Sequence, residues 1–255
     1  MIQLIRPDKP EKLAEQEVVL TKEYKEDNNK PVWKKAFIQK PLLEMTNHKC
    51  SYCERAIGKK SGQDVHIDHF KCKNKYPDLV VDWDNLLPSC ARCNRNKGTH
   101  DTVEEPIINP TVSNPKDYLY ISNYRYYSKD SSVDSIGRRT LDVFLLNDSD
   151  DCCLVRFQLG NELAEKLENF YHITVDKGES LKTDTANRNK VISGCKKLLK
   201  KCLPSEEYSA FMATSLHTDN NFLALKDLLT KENLWDEELT QLFNDSKASV
   251  YDTQR

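Results

Sequence analysis

The 255-residue chain has no apolar run approaching the length that a bilayer core demands, which sets aside a membrane-spanning helix. It has no internal repeat and no low-complexity tract, which leaves ordinary globular domains. Its first ten residues, M-I-Q-L-I-R-P-D-K-P, lack the apolar core and the small-residue cleavage site of a secretory signal, so the expected setting is the cytoplasm. An excess of positive charge is missing too: 38 Lys and Arg stand against 40 Asp and Glu, for a net charge of −2. A protein that coats nucleic acid regardless of sequence is usually basic overall, so bulk charge does not advertise that role. Nine cysteines, an odd number in a chain without a secretory signal, argue against a disulfide framework, because the cytosol keeps thiols reduced. The length suffices for one large or two small domains with a substantial core.

What the chain does have is concentrated between His48 and Asn94. Two C-x-x-C pairs, Cys50/Cys53 and Cys90/Cys93, bracket the dipeptide Asp68-His69 and Asn85, and Asn94 follows the last cysteine directly. A C-x-x-C pair lets two thiolates on one turn reach one tetrahedral ion, and two pairs close its shell. Cys50, Cys53, Cys90 and Cys93 therefore read as a structural zinc site with no open position. The interval from Cys53 to Cys90 is longer than in compact zinc modules, so a folded element is expected between the knuckles.

The inner residues carry a different chemistry. Phosphodiester hydrolysis needs an activated water and something to take the charge that builds on oxygen. An imidazole titrating near neutrality is a natural base, and a divalent cation on oxygen ligands stabilises non-bridging and leaving oxygens. Neighbours on a regular strand point to opposite faces, so Asp68 and His69 can serve one substrate only at a strand end or bend. Asn94 supplies a neutral amide oxygen, and an Asp-plus-Asn set completed by waters suits magnesium.

Asp68-His69, Asn85 and the run Cys90-Ala91-Arg92-Cys93-Asn94-Arg95-Asn96-Lys97 resemble the HNH endonuclease motif, in its variant with Asn at the third position, on a zinc-stapled ββα-metal core. The resemblance implies His69 as the general base, Asp68 and Asn94 as magnesium ligands, and Asn85 as the brace of the loop joining the two strands, orienting His69. It also implies that a helix begins at Asn94. The motif covers about a quarter of the chain. Cys50-Ser51-Tyr52-Cys53-Glu54 and Pro106-Ile107-Ile108-Asn109-Pro110 are similar to a narrower branch, the HNH proteins of Septu and retron-associated anti-phage systems, which work beside an ABC-type ATPase.

Local charge fits a phosphate partner better than bulk charge does. From His48 to His100 ten Lys and Arg, Lys60 among them, outnumber six Asp and Glu. Lys71 and Lys73, with Lys75, read as a basic rim; Arg92, Arg95 and Lys97, near the start of the helix, read as phosphate clamps. Cys72 has no pair partner at zinc spacing and stays outside the metal site.

Around this stretch, residues 11–27 carry a partial helical face through Leu13, Val18, Val19 and Leu20. Pro31 is expected in the first turn of a second helix, with Pro41 restarting the chain. Val65–Phe70 reads as a strand; Val80, Val81 and Trp83 read as a short second strand or the approach to one, Asp84-Asn85 as the start of the turn into Leu86-Leu87-Pro88, and Gly98 as the end of a short helix. Residues 101–116 read as a surface-hugging linker and Tyr118–Tyr127 as a hairpin about Ser122-Asn123. From Ser135 on the pattern is helical, with Cys152, Cys153, Cys195 and Cys202 as buried thiols.

The expected protein is thus α+β, a small zinc-stapled ββα core flanked by helices. Residues 1–47 pack on the core, 48–110 form it, and 111–255 form a hairpin and a mostly helical domain that docks a partner. Its expected activity is metal-dependent cleavage of nucleic acid, DNA before RNA, in anti-phage defence with an ABC-type ATPase, using structural Zn2+ and catalytic Mg2+. The competing reading is a zinc ribbon that binds nucleic acid or protein without cutting; it accounts for the cysteines but leaves Asp68-His69 and Asn94 as coincidence.

Overall fold

A computed structural model of the chain describes residues 1–59 and 61–253. Lys60, counted above among the basic residues, lies outside the described residues. Contacts divide the chain into two compact units, residues 1–119 with 127–147, and residues 120–126 with those from 148 on.

In the first unit, α1 (Glu11–Glu26) buries Leu13, Leu20 and Tyr24. These are spaced by seven and four, so they recur on one face of a 3.6-residue helix. Val18 and Val19, expected on that face, fall off it and remain 81% and 57% exposed. The second helix differs from expectation at both prolines. Residues 31–34 form turns, and α2 (Ala36–Met45) runs straight through Pro41. Pro41 forfeits one backbone hydrogen bond, and burial of Ile38 and Leu42 on either side of it holds the helix together.

The ββα unit follows. β1 (Val65–His69) pairs antiparallel with β2 (Leu86–Cys90), with Val65 opposite Cys90, Ile67 opposite Pro88 and His69 opposite Leu86. α3 (Ala91–Lys97) leaves directly from β2 and is closed by Gly98, at φ 50°, as expected. The second strand is not Val80–Trp83. Residues 80–82 lie between two short 3-10 turns, Pro77–Leu79 and Trp83–Asn85, while Leu86–Cys90 pairs instead. Pro88 sits within the paired strand although proline cannot donate to a ladder; in a two-stranded sheet every strand is an edge and the missing donor costs little. The Pro88 carbonyl turns outward and accepts from Ser51 N–H at 3.0 Å and Ser51 Oγ at 2.8 Å, tying the first knuckle to β2.

One core joins these pieces: Leu13, Leu20 and Tyr24 of α1, Val32, Ile38 and Leu42 around α2, Ile67 of β1, then Val80, Val81, Trp83 and Leu86. Hence the N-terminal helices and the ββα unit share one hydrophobic interior, and no boundary falls at residue 47. Nor does one fall at 110. Ile107 and Ile108 are buried, Ile108 N–H donates to Thr140 Oγ1 of α4 (Ile136–Val143) at 2.8 Å, and Arg139 donates to Pro106 O. The expected linker is a packed strap of the first unit.

β3 (Leu119–Ser122) and β4 (Arg125–Ser128) make the expected hairpin, with Asn123 at φ 53° in its turn. In the second unit, α5 (Cys152–Lys177), α6 (Thr185–Lys200), α7 (Ser209–Thr218), α8 (Asn220–Lys231) and α9 (Glu237–Ser246) pack around Leu163, Leu167, Val191, Leu199 and Phe222. Cys152, Cys153, Cys195 and Cys202 are all buried there, and burial pushes the Cys195 and Cys202 thiols up to about 12, which makes them inert core residues. Tyr126 lies under the Arg156 guanidinium and against Tyr251, so it serves the interior of this unit. No helix among the described residues is long and apolar enough to cross a membrane.

Candidate active site and metal centre

The two knuckles converge. Sγ atoms of Cys50, Cys53, Cys90 and Cys93 all lie within 4.8 Å of one another, and all four residues are buried. A tetrahedral zinc ion with Zn–S bonds of about 2.3 Å sets its sulfurs about 3.8 Å apart, and Cys53 and Cys90 stand at 3.7 Å. Cys93 N–H donates to Cys90 Sγ at 3.4 Å, so the turn presents a backbone donor to sulfur. Hydrogen bonds from Cys50, Cys53 and Cys93 hold the Cys90 thiol low, while the same crowding pushes Cys93 up. Four sulfurs at this spacing suit a thiophilic, four-coordinate ion.

Next to this staple, β1 ends at His69, and there the alternation of the strand stops. Asp68 and His69, adjacent in sequence, therefore line one cleft of about 430 Å3, together with His66, Lys73, Asn94 and Arg95. The His69 ring is fixed on two sides. Its Nε2 lies 2.9 Å from the Val80 carbonyl, and Trp33 meets it edge to face, with ring centroids 4.8 Å apart at 89°. A carbonyl only accepts, so Nε2 carries the proton and Nδ1 keeps the lone pair. Burial first, then Lys73 and Lys97, lower the His69 pKa to about 4, against the raising effect of the Val80 carbonyl. The imidazole is therefore neutral at physiological pH.

Asn85 holds the loop that carries Val80. Its Oδ1 accepts from Lys71 N–H at 2.7 Å, and its Nδ2 donates to Lys71 O at 3.1 Å and Leu79 O at 3.0 Å. One buried amide thus pins both ends of the segment between the strands, next to the acceptor of His69.

Asp68 is 4% exposed and doubly held. Tyr52, from the first knuckle, donates its hydroxyl to Oδ2 at 2.5 Å, and Lys97 brings its ammonium to 3.1 Å from Oδ1 and 2.7 Å from His69 O. Burial, and then Asp68 itself, push the Tyr52 phenol well up, so it stays a donor. Its ring stacks on Phe144 at 3.9 Å. A carboxylate has about four lone-pair sites; two are used, and one oxygen lone pair on each side remains for a cation. With the amide oxygen of Asn94 on the same cleft, the donor set is hard and singly charged, which suits magnesium with several waters.

The expected nucleic-acid contacts separate into groups. Arg95 and Lys73 line the cleft. Lys71 is exposed, and its backbone, held by Asn85, is the part tied to the site. Lys97 is only 2% exposed and faces Asp68, not solvent. Arg92 is turned to the end of α4, donating to Phe144 O at 3.1 Å and Leu145 O at 2.9 Å; it is not a cleft residue. Lys75 pairs with Asp101 and Glu104, which hold its ammonium strongly protonated. Sequence reasoning passed over Tyr52, whose signal was its place inside the Cys50–Cys53 knuckle, and Trp33, which reaches His69 from the turn ahead of α2.

A family model described as HNH endonuclease matches residues 50–100, the span that contains both knuckles, β1, β2 and α3. No solved structure matches the chain. Two curated relatives are each named Septu protein PtuB. One, from Bacillus thuringiensis, is 37% identical over 250 residues, covering 98% of this chain and 95% of the relative. The other, from Bacillus mycoides (strain KBAB4), is 26% identical over 225 residues, covering 77% of this chain and 68% of the relative. Similarity that runs almost end to end in both sequences, around a shared HNH segment, places the chain in the Septu PtuB family.

Proposed function

We propose that the chain is a metal-dependent HNH endonuclease that hydrolyses phosphodiester bonds in nucleic acid as the effector of an anti-phage defence system. The observation that carries this reading is the state of His69: a neutral imidazole on a cleft wall, its Nε2 proton committed to Val80 O and its Nδ1 lone pair without a hydrogen bond among the described residues, beside an acid and an amide suited to a hard cation. In the proposed reaction His69 Nδ1 takes a proton from water as its oxygen attacks phosphorus; the bond to the 3′ oxygen breaks, and that oxygen leaves with the electron pair. Asp68 and Asn94 would hold the divalent cation, which when bound supplies charge stabilisation for the non-bridging and leaving oxygens. Trp33 and the Val80 carbonyl keep the base oriented; Asn85 keeps the Val80 loop in place. The four cysteines would hold a structural Zn2+ that staples the ββα unit.

The defence setting is supported by the family, and the notion of a partner by its name for the relatives as one protein of the Septu system. An ABC-type ATPase is the proposed partner, docking on the helical second unit, where Leu154 and Phe157 of α5 stand 44% and 43% exposed. DNA is the proposed substrate, with structured RNA tested in parallel.

The deciding assay incubates zinc-loaded chain, with and without the ATPase, on DNA and RNA in the presence of Mg2+. Cleavage that His69→Ala abolishes while zinc content is unchanged is the expected result. Full activity in His69→Ala would refute the assignment of the base, and binding without cleavage by the native pair would leave a non-catalytic zinc module.

A further inference from the structure

The cleft around His69 does not stop at the motif. Lys73 and Asn74 form part of its wall and also part of the wall of a second cleft, about 530 Å3, lined further by Tyr24, Lys25, Asn28 and Pro77. Two aromatic rings mark the junction. Trp33 lines the first cleft and Tyr24 the second, and they meet edge to face at 6.0 Å. The Lys73 ammonium rests over both, 5.3 Å from the Trp33 centroid and 5.5 Å from that of Tyr24. Asp68 is the one carboxylate among the described residues lining either cleft, whereas Lys34, Lys73 and Arg95 supply cations and Lys25, also on the wall, is paired with Asp78. Tyr24 is sealed at 2% exposure, but Trp33 is only partly buried, and its indole N–H donates to no described group. Both rings lie outside the segment that matches the HNH model, so that match assigns them nothing.

We propose that this junction binds one unpaired nucleotide flanking the scissile phosphate, its base stacked on Trp33 and its phosphate taken by Lys73. The proposal rests on the nuclease reading and extends it to the class of substrate. The Lys73 ammonium, over a partly exposed ring and with only long contacts to Tyr24 Oη at 3.5 Å and Asn74 Oδ1 at 3.4 Å, is held weakly; a base on the same ring is held more strongly and tolerates any sequence, because every base has a π-face. Lys73 has a flexible stem and trades the ring face for a phosphate oxygen when the base arrives. A base inside an intact duplex has no free face to offer. The site therefore favours single strands, gaps and frayed ends over closed duplex.

The test uses full-length, zinc-loaded His69→Ala chain, which keeps the wall but not the base. Its probes are a fluorescein-labelled single-stranded oligonucleotide and the blunt duplex of the same sequence, followed by anisotropy and by tryptophan emission. The single strand is expected to bind more tightly than the duplex and to quench emission. Adding Trp33→Leu should remove the quench and weaken single-strand binding about tenfold, the size of one lost stack. Trp33→Phe, which retains a ring, should keep most of the affinity. Lys73→Gln should lower the salt slope by about 0.7, the share of one phosphate on a single strand. Undiminished single-strand affinity in a Trp33→Leu chain with normal zinc content overturns the proposal, as does a parent that binds neither probe. Where Trp33→Leu does not fold, the parent's quench and the Lys73→Gln slope decide: an unquenched, slope-neutral pair of results overturns it. Trp33-dependent binding without Mg2+-dependent cleavage by the native pair of chain and ATPase would refute the nuclease reading and leave this site standing; cleavage with Trp33-independent binding would do the reverse.

Discussion

Replacing Lys97 by methionine keeps most of the length of the side chain and removes one charge from an enclosed pair. The Lys97 side chain is 0% exposed and that of Asp68 5%, with 3.1 Å between Nζ and Oδ1. Surface ion pairs contribute little, but breaking a buried pair from one side leaves the other charge without compensation and costs roughly 3–5 kcal/mol. Tyr52 still donates to Oδ2, so the lower end applies. At about 2–4 °C per kcal/mol for a unit of this size, a loss of ~3 kcal/mol is a fall of roughly 6–12 °C in the melting temperature of the first unit. Scanning calorimetry reads this directly. Two further arms test the cause. Asp68→Asn added to Lys97→Met should recover at least half of the loss, because the orphaned charge is gone. Mg2+ should raise the melting temperature of Lys97→Met more than that of the native chain, since the variant offers the carboxylate to a cation without competition. A single variant that melts within about 1 °C of the native chain, or an Asp68→Asn that makes matters worse, would refute the idea that Lys97 neutralises Asp68.

Cys90→Ser should abolish zinc binding, measured by metal analysis of the purified chain, and unfold the ββα unit, because Cys90 both closes the sulfur cluster and accepts from Cys93 N–H; retained stoichiometric zinc would contradict the four-sulfur site. Asn85→Ala removes three hydrogen bonds to backbone groups and should cost about 2–4 kcal/mol in denaturant melts, with a fall in cleavage that exceeds any loss of zinc, because the loop bearing the acceptor of His69 is released. His217 gives a pH signature in the second unit. Burial lowers its pKa from 6.5 to about 4, and the charge of Lys247 lowers it in the same direction. The unfolded chain therefore binds the proton first as pH falls, so this stability is complete above about pH 6.5 and is lost progressively down to about pH 4. His217→Gln should flatten that limb of the stability profile, and an unchanged limb would count against the assignment.

The legible parts of the sequence were those in which few atoms decide the outcome. A C-x-x-C turn constrains two sulfurs within four residues, so the metal cluster followed from spacing alone. The hairpin about Asn123 and the stop at Gly98 followed from the backbone freedom of single residues. The second strand was illegible because two rules pulled against each other: β-branched Val80 and Val81 favour a strand, and Pro88 opposes one. Packing settled it, since Val80, Val81 and Trp83 are needed in the core shared with α1 and α2, while Pro88 is harmless on an edge. The boundaries at 47 and 110 were placed at the start of the motif and the end of the Pro106–Pro110 run, but Leu13 and Ile38 share the core of the ββα unit and Ile108 is tied to α4, so packing ignores the limits of the motif.

At the site, residue identity was readable and residue allegiance was not. Arg92, Arg95 and Lys97 are three cations within six positions of one another, equivalent as a charge count. The 100° step of the helix sends them to three places: Arg92 to the carbonyls closing α4, Arg95 to the cleft, and Lys97 inward to Asp68. Trp33 and Tyr52 reach the site from outside the catalytic dipeptide, through a turn and a knuckle whose positions depend on contacts far along the chain. The division has a physical reason. Ligand spacing is local and survives in one dimension, whereas the ring packed against His69 and the side-chain partners of Asp68 come from 16 to 36 positions away, where only the packed core determines who meets whom.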